Sequence, residues 1–401
     1  MQKSLKGIKN WIQQGSYDMP FFIIVILLLT GGVIMLYSAS YVSASYSKEA
    51  GYDPAYYFKR QLLFAVVGVI VMLVVSRIRV TVLKKFAYIF ALIYLALLVL
   101  VLVMPAKIDN KEDFRRWLDL PLLPQFQPSE LAKFGLILFC ARVLSERKKI
   151  AERFGNHDLA IPICFVMMVL TCGLVLAENH LSCTILLLGI GAAMLVLGGV
   201  RTRWIVAAIS VSVVGLTVFL LFHEQIIPKL PIGTYAQNRL IAWLDKDSFA
   251  KDIRWQTNQS LFALGSGGFF GLGLGNSRQK YLYMPEPQND FIFAIVGEEL
   301  GFFRSVLIIL LFAALVFRGF VIASRAKSMF ERLLVLGISL QVGLQTILNI
   351  LVVTDLMPNT GISLPFFSYG GTALVMQLVE MGIVLAVSRS GDRKKRAKTD
   401  A

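Results

Sequence analysis

Three carboxylates, Asp290, Glu298 and Glu299, fall within ten residues, where a polar loop beginning Lys280-Tyr-Leu-Tyr-Met-Pro-Glu runs into an apolar helix ending near Gly301. Acids are rare inside membranes because burying their charge is costly, so this junction is the first place to look for chemistry. Asp290 has two readings. Asn289-Asp290 ahead of Phe-Ile-Phe-Ala-Ile-Val suits a helix N-cap. It also suits a general base in an outward-facing cavity. Burial in a partly apolar cleft lifts a carboxyl pKa towards neutrality and poises it to take a proton from a hydroxyl. Ala294, Gly297 and Gly301 share its helical face and leave room beside it. Glu298 and Glu299 lie about 12 Å deeper by helical rise, and structural pairing is the expectation for them.

Three further groups of residues could carry chemistry. In Gln127-Pro-Ser-Glu-Leu-Ala-Lys133, Pro128 suits a helix start, and Glu130 and Lys133 then share a face. They read either as a local ion pair or as a cation presented to a phosphate with the glutamate holding it. A long loop carries Lys229, Arg239, Lys246, Lys251, Arg254, Arg278 and Lys280. Most of these are expected on a solvated surface. Arg239, set among the apolar positions of Asn-Arg-Leu-Ile-Ala-Trp, is the expected exception, a partner for a lipid pyrophosphate. Gln341, Gln345 and Asn349 recur every four residues, either for interhelical hydrogen bonds or to line a cavity. The Pro- and Gly-rich segment from Met357 to Gly371 follows them and reads as a bent or re-entrant loop.

The elements that must position these residues are membrane helices. Of 401 residues, 56% are hydrophobic and only 16% charged, with mean hydropathy +0.68. A soluble chain of this length carries more charge. Apolar runs predict an all-α polytopic protein of ten spans, with cores near 20–42, 61–76, 86–104, 129–146, 160–177, 181–199, 204–222, 291–317, 333–354 and 368–387. The net charge of +15 is concentrated on alternate short loops and on the tail 388–401, and most of the 40 Lys and Arg residues lie there. This is the positive-inside pattern, which places both termini in the cytoplasm and excludes nucleic acid as the simplest partner. Two outside loops are long, 105–128 and 223–289. The second is rich in Trp and Phe, which predicts short helices at the outer membrane surface. Cys140, Cys164, Cys172 and Cys183 lie in or beside apolar runs and read as packing residues. No cleavable leader is expected.

Several stretches, in order along nearly the whole chain, resemble the SEDS family of membrane glycosyltransferases (shape, elongation, division and sporulation). They are Arg115-Arg-Trp, Gln127-Pro-Ser-Glu-Leu-Ala-Lys133, Trp255-Gln256 with Ala-Leu-Gly-Ser-Gly-Gly268, Pro285-Glu with Asn-Asp-Phe-Ile-Phe and Gly-Glu-Glu-Leu-Gly301, and Pro358-Asn-Thr-Gly-Ile-Ser-Leu-Pro-Phe-Phe-Ser-Tyr-Gly-Gly371. Met35-Leu-Tyr-Ser-Ala-Ser40 is more similar to the family's division branch, FtsW. The resemblance implies a single membrane domain that polymerises lipid II in the bacterial cell membrane. It implies Asp290 as catalytic base, with Glu130, Lys133, Arg239, Gln256 and Ser368 as candidate substrate-binding residues. A divalent cation, magnesium or manganese, could share the work of stabilising the leaving pyrophosphate. The implied partners are a class B penicillin-binding protein and other divisome or elongasome membrane proteins. Three departures stand out: Glu178-Asn-His-Leu-Ser182 replaces the usual Glu-Pro-Asp-Leu-Gly, Arg304 stands where a small residue is usual, and Thr372 replaces a serine. Two other functions fit parts of the pattern. A lipid II flippase would use the polar stripe and the broken loop as a path, although no inverted repeat is evident. A scaffold for a transpeptidase would leave Asp290 replaceable.

Overall fold

The computed structural model describes residues 15–104, 116–118, 126–154, 159–229, 234–245 and 254–399. Among these the chain is helical: α1 (Met19–Tyr46), α2 (Tyr56–Val75), α3 (Val80–Val103), α4 (Pro128–Ser145), α5 (Arg147–Phe154), α6 (Ala160–Ala177), α7 (Leu181–Leu197), α8 (Thr202–Ile226), α9 (Thr234–Leu244), α10 (Trp255–Gly267), α11 (Ile292–Ser324), α12 (Met329–Val353) and α13 (Gly371–Thr399). Seven of them, α1, α2, α3, α6, α11, α12 and the Gly371–Ser390 part of α13, are long and apolar enough to cross a membrane. α7 is apolar but shorter, and α4 and α8 occupy the two remaining stretches expected to span. Large apolar side chains such as Leu63, Leu92, Val103 and Val211 are turned outward, as a hydrocarbon solvent requires. Two short helices, α9 and α10, do form within the long loop. The acidic and basic residues of the first outside loop up to Arg115, and Lys246 and Lys251 of the second, lie outside the described residues.

Start signals in the sequence set several helix ends. Asp18 caps α1 by accepting from Phe21 N at 3.0 Å, with Pro20 in the first turn. The same carboxylate pairs with Arg318 of α11 through two bonds of 2.9 and 2.8 Å, tying the ends of two helices together. α4 is buried almost throughout and packs against α3, α6, α7 and α12. Its first two turns therefore carry Glu130 and Lys133 into the protein, away from lipid.

α11 departs from the continuous helix expected through 291–317. It breaks at Gly301, whose φ is +77° and ψ 178°. The broken turn would strand backbone groups at membrane depth, and the glycine-rich segment after α10 satisfies them. Leu272 N and Gly273 N donate to the carbonyls of Glu298 and Glu299, each at 3.0 Å, and Phe302 N and Phe303 N donate to Gly268 O and Phe269 O at 2.9 and 3.2 Å. A carbon added to Gly301 would sit 2.2 Å from Gly271 N, so only glycine allows the two backbones this close. Arg304, which needs a partner at this depth, donates to the Phe270 carbonyl at 3.0 Å.

Candidate active site

The ends of α4, α7, α11 and α13, with the loops beside them, enclose a cavity of about 810 Å³. α4 supplies Glu130 and Lys133, joined at 2.8 Å and both nearly buried. Lys133 Nζ also donates to Gln345 Oε1 at 3.2 Å, and Gln345 Nε2 donates to Ser363 O and Oγ at 3.0 and 3.1 Å. Leu118 pairs with Phe126 through backbone bonds of 2.9 and 3.1 Å, and Arg116, Trp117 and Gln127 beside this bridge lie on the cavity wall. Arg60 of α2 and the first residues of α13 form another wall.

Asp290 lies one residue before the residue that caps α11, half-buried, with its side chain on the cavity. Its main chain is fixed: Asn349 Nδ2 donates to Asp290 O at 2.8 Å and to Ile362 O at 2.6 Å. Its carboxylate makes no hydrogen bond to another described residue, so the capping reading does not account for it. Gly361, at φ +78°, keeps the space above the carboxylate open, since a carbon added there would lie 3.1 Å from Oδ2. Burial pushes the Asp290 carboxyl up to about 6, opposed by the charge of Arg239, aided by Glu286 and opposed again by Arg116. At neutral pH the group is a carboxylate one step from protonation, which suits a general base.

Of the six candidate site residues, Asp290, Glu130 and Lys133 line the cavity. Arg239 and Gln256 stand behind its rim. Arg239 Nη1 donates to Asn359 O and Oδ1 at 2.9 and 3.2 Å, Asn359 Nδ2 donates to Gln256 Oε1 at 3.1 Å, and Gln256 Nε2 donates to Pro285 O at 3.0 Å. This chain of bonds braces the loop around Gly361 against the segment that leads to Asp290. Ser368 lies beneath the wall. Its Oγ accepts from Leu364 N at 2.7 Å, and its carbonyl accepts from Gln61 Nε2 at 3.2 Å.

Two members of the basic set are not the solvated cations expected. Lys280 is fully buried, 2.9 Å from Glu299 and 2.6 Å from the Gly275 carbonyl. Arg254 is buried against Asp355 at 2.7 Å. Both are structural ion pairs. Glu298 is likewise structural, accepting from Arg278 N at 2.9 Å and from Ser266 and Ser277. The polar stripe of α12 divides its work: Gln341 holds Glu380 of α13, Gln345 lines the cavity, and Asn349 pins Asp290. Arg60 was not singled out from the sequence, and Asn349 was named only as a member of the polar stripe. Arg60 could have been noticed as a cation at the outer start of the second span, and Asn349 as the stripe residue nearest the broken loop.

The turn between α6 and α7 forms the wall facing Asp290. His180 Nδ1 lies 3.2 Å from Gln127 Nε2 and 3.3 Å from Ser129 Oγ, and burial together with the charges of Arg116 and Lys133 holds its imidazole well below the usual pKa, so it is neutral. Glu178 is fully buried with neither carboxylate oxygen hydrogen-bonded to a described residue. Burial pushes it up to about 9 against the opposing charge of Arg116, so it carries a proton at neutral pH. No group of three or more His, Cys, Asp or Glu side chains among the described residues could cage a metal ion.

A profile of cell cycle proteins named for FtsW, RodA and SpoVE matches residues 18–393. A probable peptidoglycan glycosyltransferase FtsW of Trichlorobacter lovleyi is 36% identical over 385 residues, covering 96% of each chain. The stage V sporulation protein E of Bacillus subtilis is 38% identical over 376 residues, covering 93% of this chain and 97% of that one. Two solved structures share the fold. One, from a peptidoglycan synthase complex that coordinates polymerization and crosslinking, has TM-score 0.72 and 26% identity, covering 93% of this chain and 98% of that one. The other, the rod shape determining protein RodA of Thermus thermophilus, has TM-score 0.64 and 27% identity, covering 94% and 97%.

Proposed function

Because the chain belongs to the FtsW/RodA/SpoVE family, we propose that it is a peptidoglycan glycosyltransferase that polymerises lipid II into glycan strands, in the division branch of that family. One observation carries the chemistry: a half-buried carboxylate with no hydrogen bond to another described residue, its main chain pinned by Asn349, opens on a large polar cavity. Asp290 takes the proton from the GlcNAc 4-hydroxyl of one lipid-linked disaccharide. The oxygen attacks C1 of MurNAc on a second, the bond to undecaprenyl pyrophosphate breaks, and the anomeric carbon inverts. Charge then grows on the pyrophosphate, and the cations on the cavity wall, Lys133, Arg116 and Arg60, are placed to stabilise it electrostatically. Glu130 holds Lys133 in place, while Arg239, Gln256 and Ser368 act through the loops they brace. A magnesium or manganese ion would draw most of its ligands from pyrophosphate oxygens and would share with the wall cations the neutralisation of the leaving group.

In this reading the chain makes ten spans in the bacterial cell membrane, with 223–289 on the outer face and 388–401 in the cytoplasm. Polyprenyl tails occupy grooves between spans. A crosslinking transpeptidase of the class B penicillin-binding type is the proposed partner, within a larger division assembly. The test is to incubate the purified protein and its partner with lipid II. The reading expects glycan polymer joined through inverted linkages, with release of undecaprenyl pyrophosphate. Transfer of lipid II across liposomes without polymer would favour a flippase.

A further inference from the structure

The wall opposite Asp290 holds a polar group that the mechanism does not use. Ser182, in the first turn of α7, lines the cavity, is 1% exposed, and its Oγ has no hydrogen-bond partner among the described residues. A buried hydroxyl without a partner is unfavourable, and such groups in folded proteins are usually paired. Gly361 fixes its position relative to the base: a carbon added to that glycine would lie 3.1 Å from Asp290 Oδ2 and 4.0 Å from Ser182 Oγ. The two oxygens therefore border the same small space, which Gly361 keeps free of side chain.

The chemistry of that space selects the ligand. The Asp290 carboxylate, 3.1 Å from a carbon added to Gly361, disfavours a phosphate or carboxylate there against the opposing charges of Arg239 and Arg116. His180 next door is neutral, and its Nδ1 is occupied by Gln127, so it adds no charge. A hydroxyl both donates and accepts, and pairs with another hydroxyl in either sense. We propose that Ser182 is a positioning residue for the acceptor sugar: it holds a hydroxyl next to the one whose proton Asp290 removes. The neighbouring hydroxyls of a hexose are spaced to reach both groups at once. The idea rests on the reading of the site as a glycosyltransferase, and deepens it by assigning the acceptor side.

The test separates acceptor from donor. A lipid II analogue whose GlcNAc 4-position is blocked serves only as donor, and an analogue with a free 4-hydroxyl whose pyrophosphate is replaced by a non-leaving linkage is titrated as acceptor. For Ser182→Ala and Ser182→Gly, the acceptor concentration at half-maximal rate should rise about five- to tenfold, the size expected for one lost hydrogen bond. The rate at saturating acceptor and the half-saturation for donor should stay within about twofold. Ser182→Thr, which keeps a hydroxyl, should recover most of the acceptor affinity. An unchanged acceptor half-saturation in both deletions, or an equal rise for donor, would overturn the proposal. So would a loss of thermal stability that accounts for the whole effect, with no rescue by threonine. If the wild-type protein made no glycan, the glycosyltransferase reading itself would fail, and that outcome is distinct from these.

Discussion

At the scale of the residue, Asp290 was legible because an acid at a loop–helix boundary in an apolar chain has few explanations, and its proximity to Glu298 and Glu299 drew attention. What separates the three is long-range. Glu299 is neutralised by Lys280, nineteen residues earlier, and Ser38 of α1 donates to it at 2.8 and 2.6 Å, while Glu298 accepts from the backbone of residues 278 and 279. No local pattern encodes such pairings, so Lys280 read as a surface cation. Two predictions follow from these environments. In the proposed function the carboxylate form of Asp290 is the base, and burial raises its pKa to about 6. Glycan polymerisation should therefore rise tenfold per pH unit below about pH 6 and level off above it, in a pH–rate profile at saturating lipid II. A flat profile from pH 5 to 7 would argue against this base. For the ion pair, Lys280→Met strands a buried carboxylate and should destabilise the fold by about 3–5 kcal/mol. Thermal unfolding in detergent should show the drop, and adding Glu299→Gln should restore part of it.

At the scale of the element, most helices were readable from apolar runs and starting signals such as Asp18 and Pro128. The break in α11 was not. Glycine is common in membrane helices, and Glu298, Glu299 and Arg304 on either side of Gly301 fit a continuous helix as well as a broken one, so nothing local marks it as a non-helical position. Its cause is the segment after α10, which needs Gly271 and Gly301 in direct backbone contact. This contact fixes the deep end of the helix turns that lead from Asp290, while Asn349 fixes the shallow end. Gly301→Ala places a side chain in a region of φ and ψ that is essentially closed to it, and also against Gly271. It should destabilise by at least about 1–3 kcal/mol and lower polymerase activity. Gly265→Ala, in the open interior of α10 with nothing within 4 Å, is the matched control and should leave stability unchanged or raise it by about 1 kcal/mol. Equal effects of the two substitutions would remove the role assigned to the break.

At the scale of the whole molecule, composition alone marked a helical membrane protein, and the belt of outward apolar side chains agrees. The cavity was less legible, because it is assembled from residues far apart in sequence. Arg60, Arg116, Glu130, His180, Asp290 and Gln345 meet only once α2, α4, α7, α11 and α12 are packed. The sequence offered Glu130, Lys133 and Asp290 through compact motifs. Arg239 came from the basic set of the long loop and Gln256 and Ser368 from the resemblance, but these brace the loops around the cavity and do not line it. The proposed chemistry turns on one side chain, Asp290. The most direct measurement compares glycan polymer made from lipid II by the purified wild-type protein and by Asp290→Asn, each with its transpeptidase partner and with folding and partner binding verified. The account predicts polymer from the wild type and a loss of at least about a hundredfold in the variant, the scale of a missing general base. Full-length polymer at the wild-type rate from Asp290→Asn would contradict it.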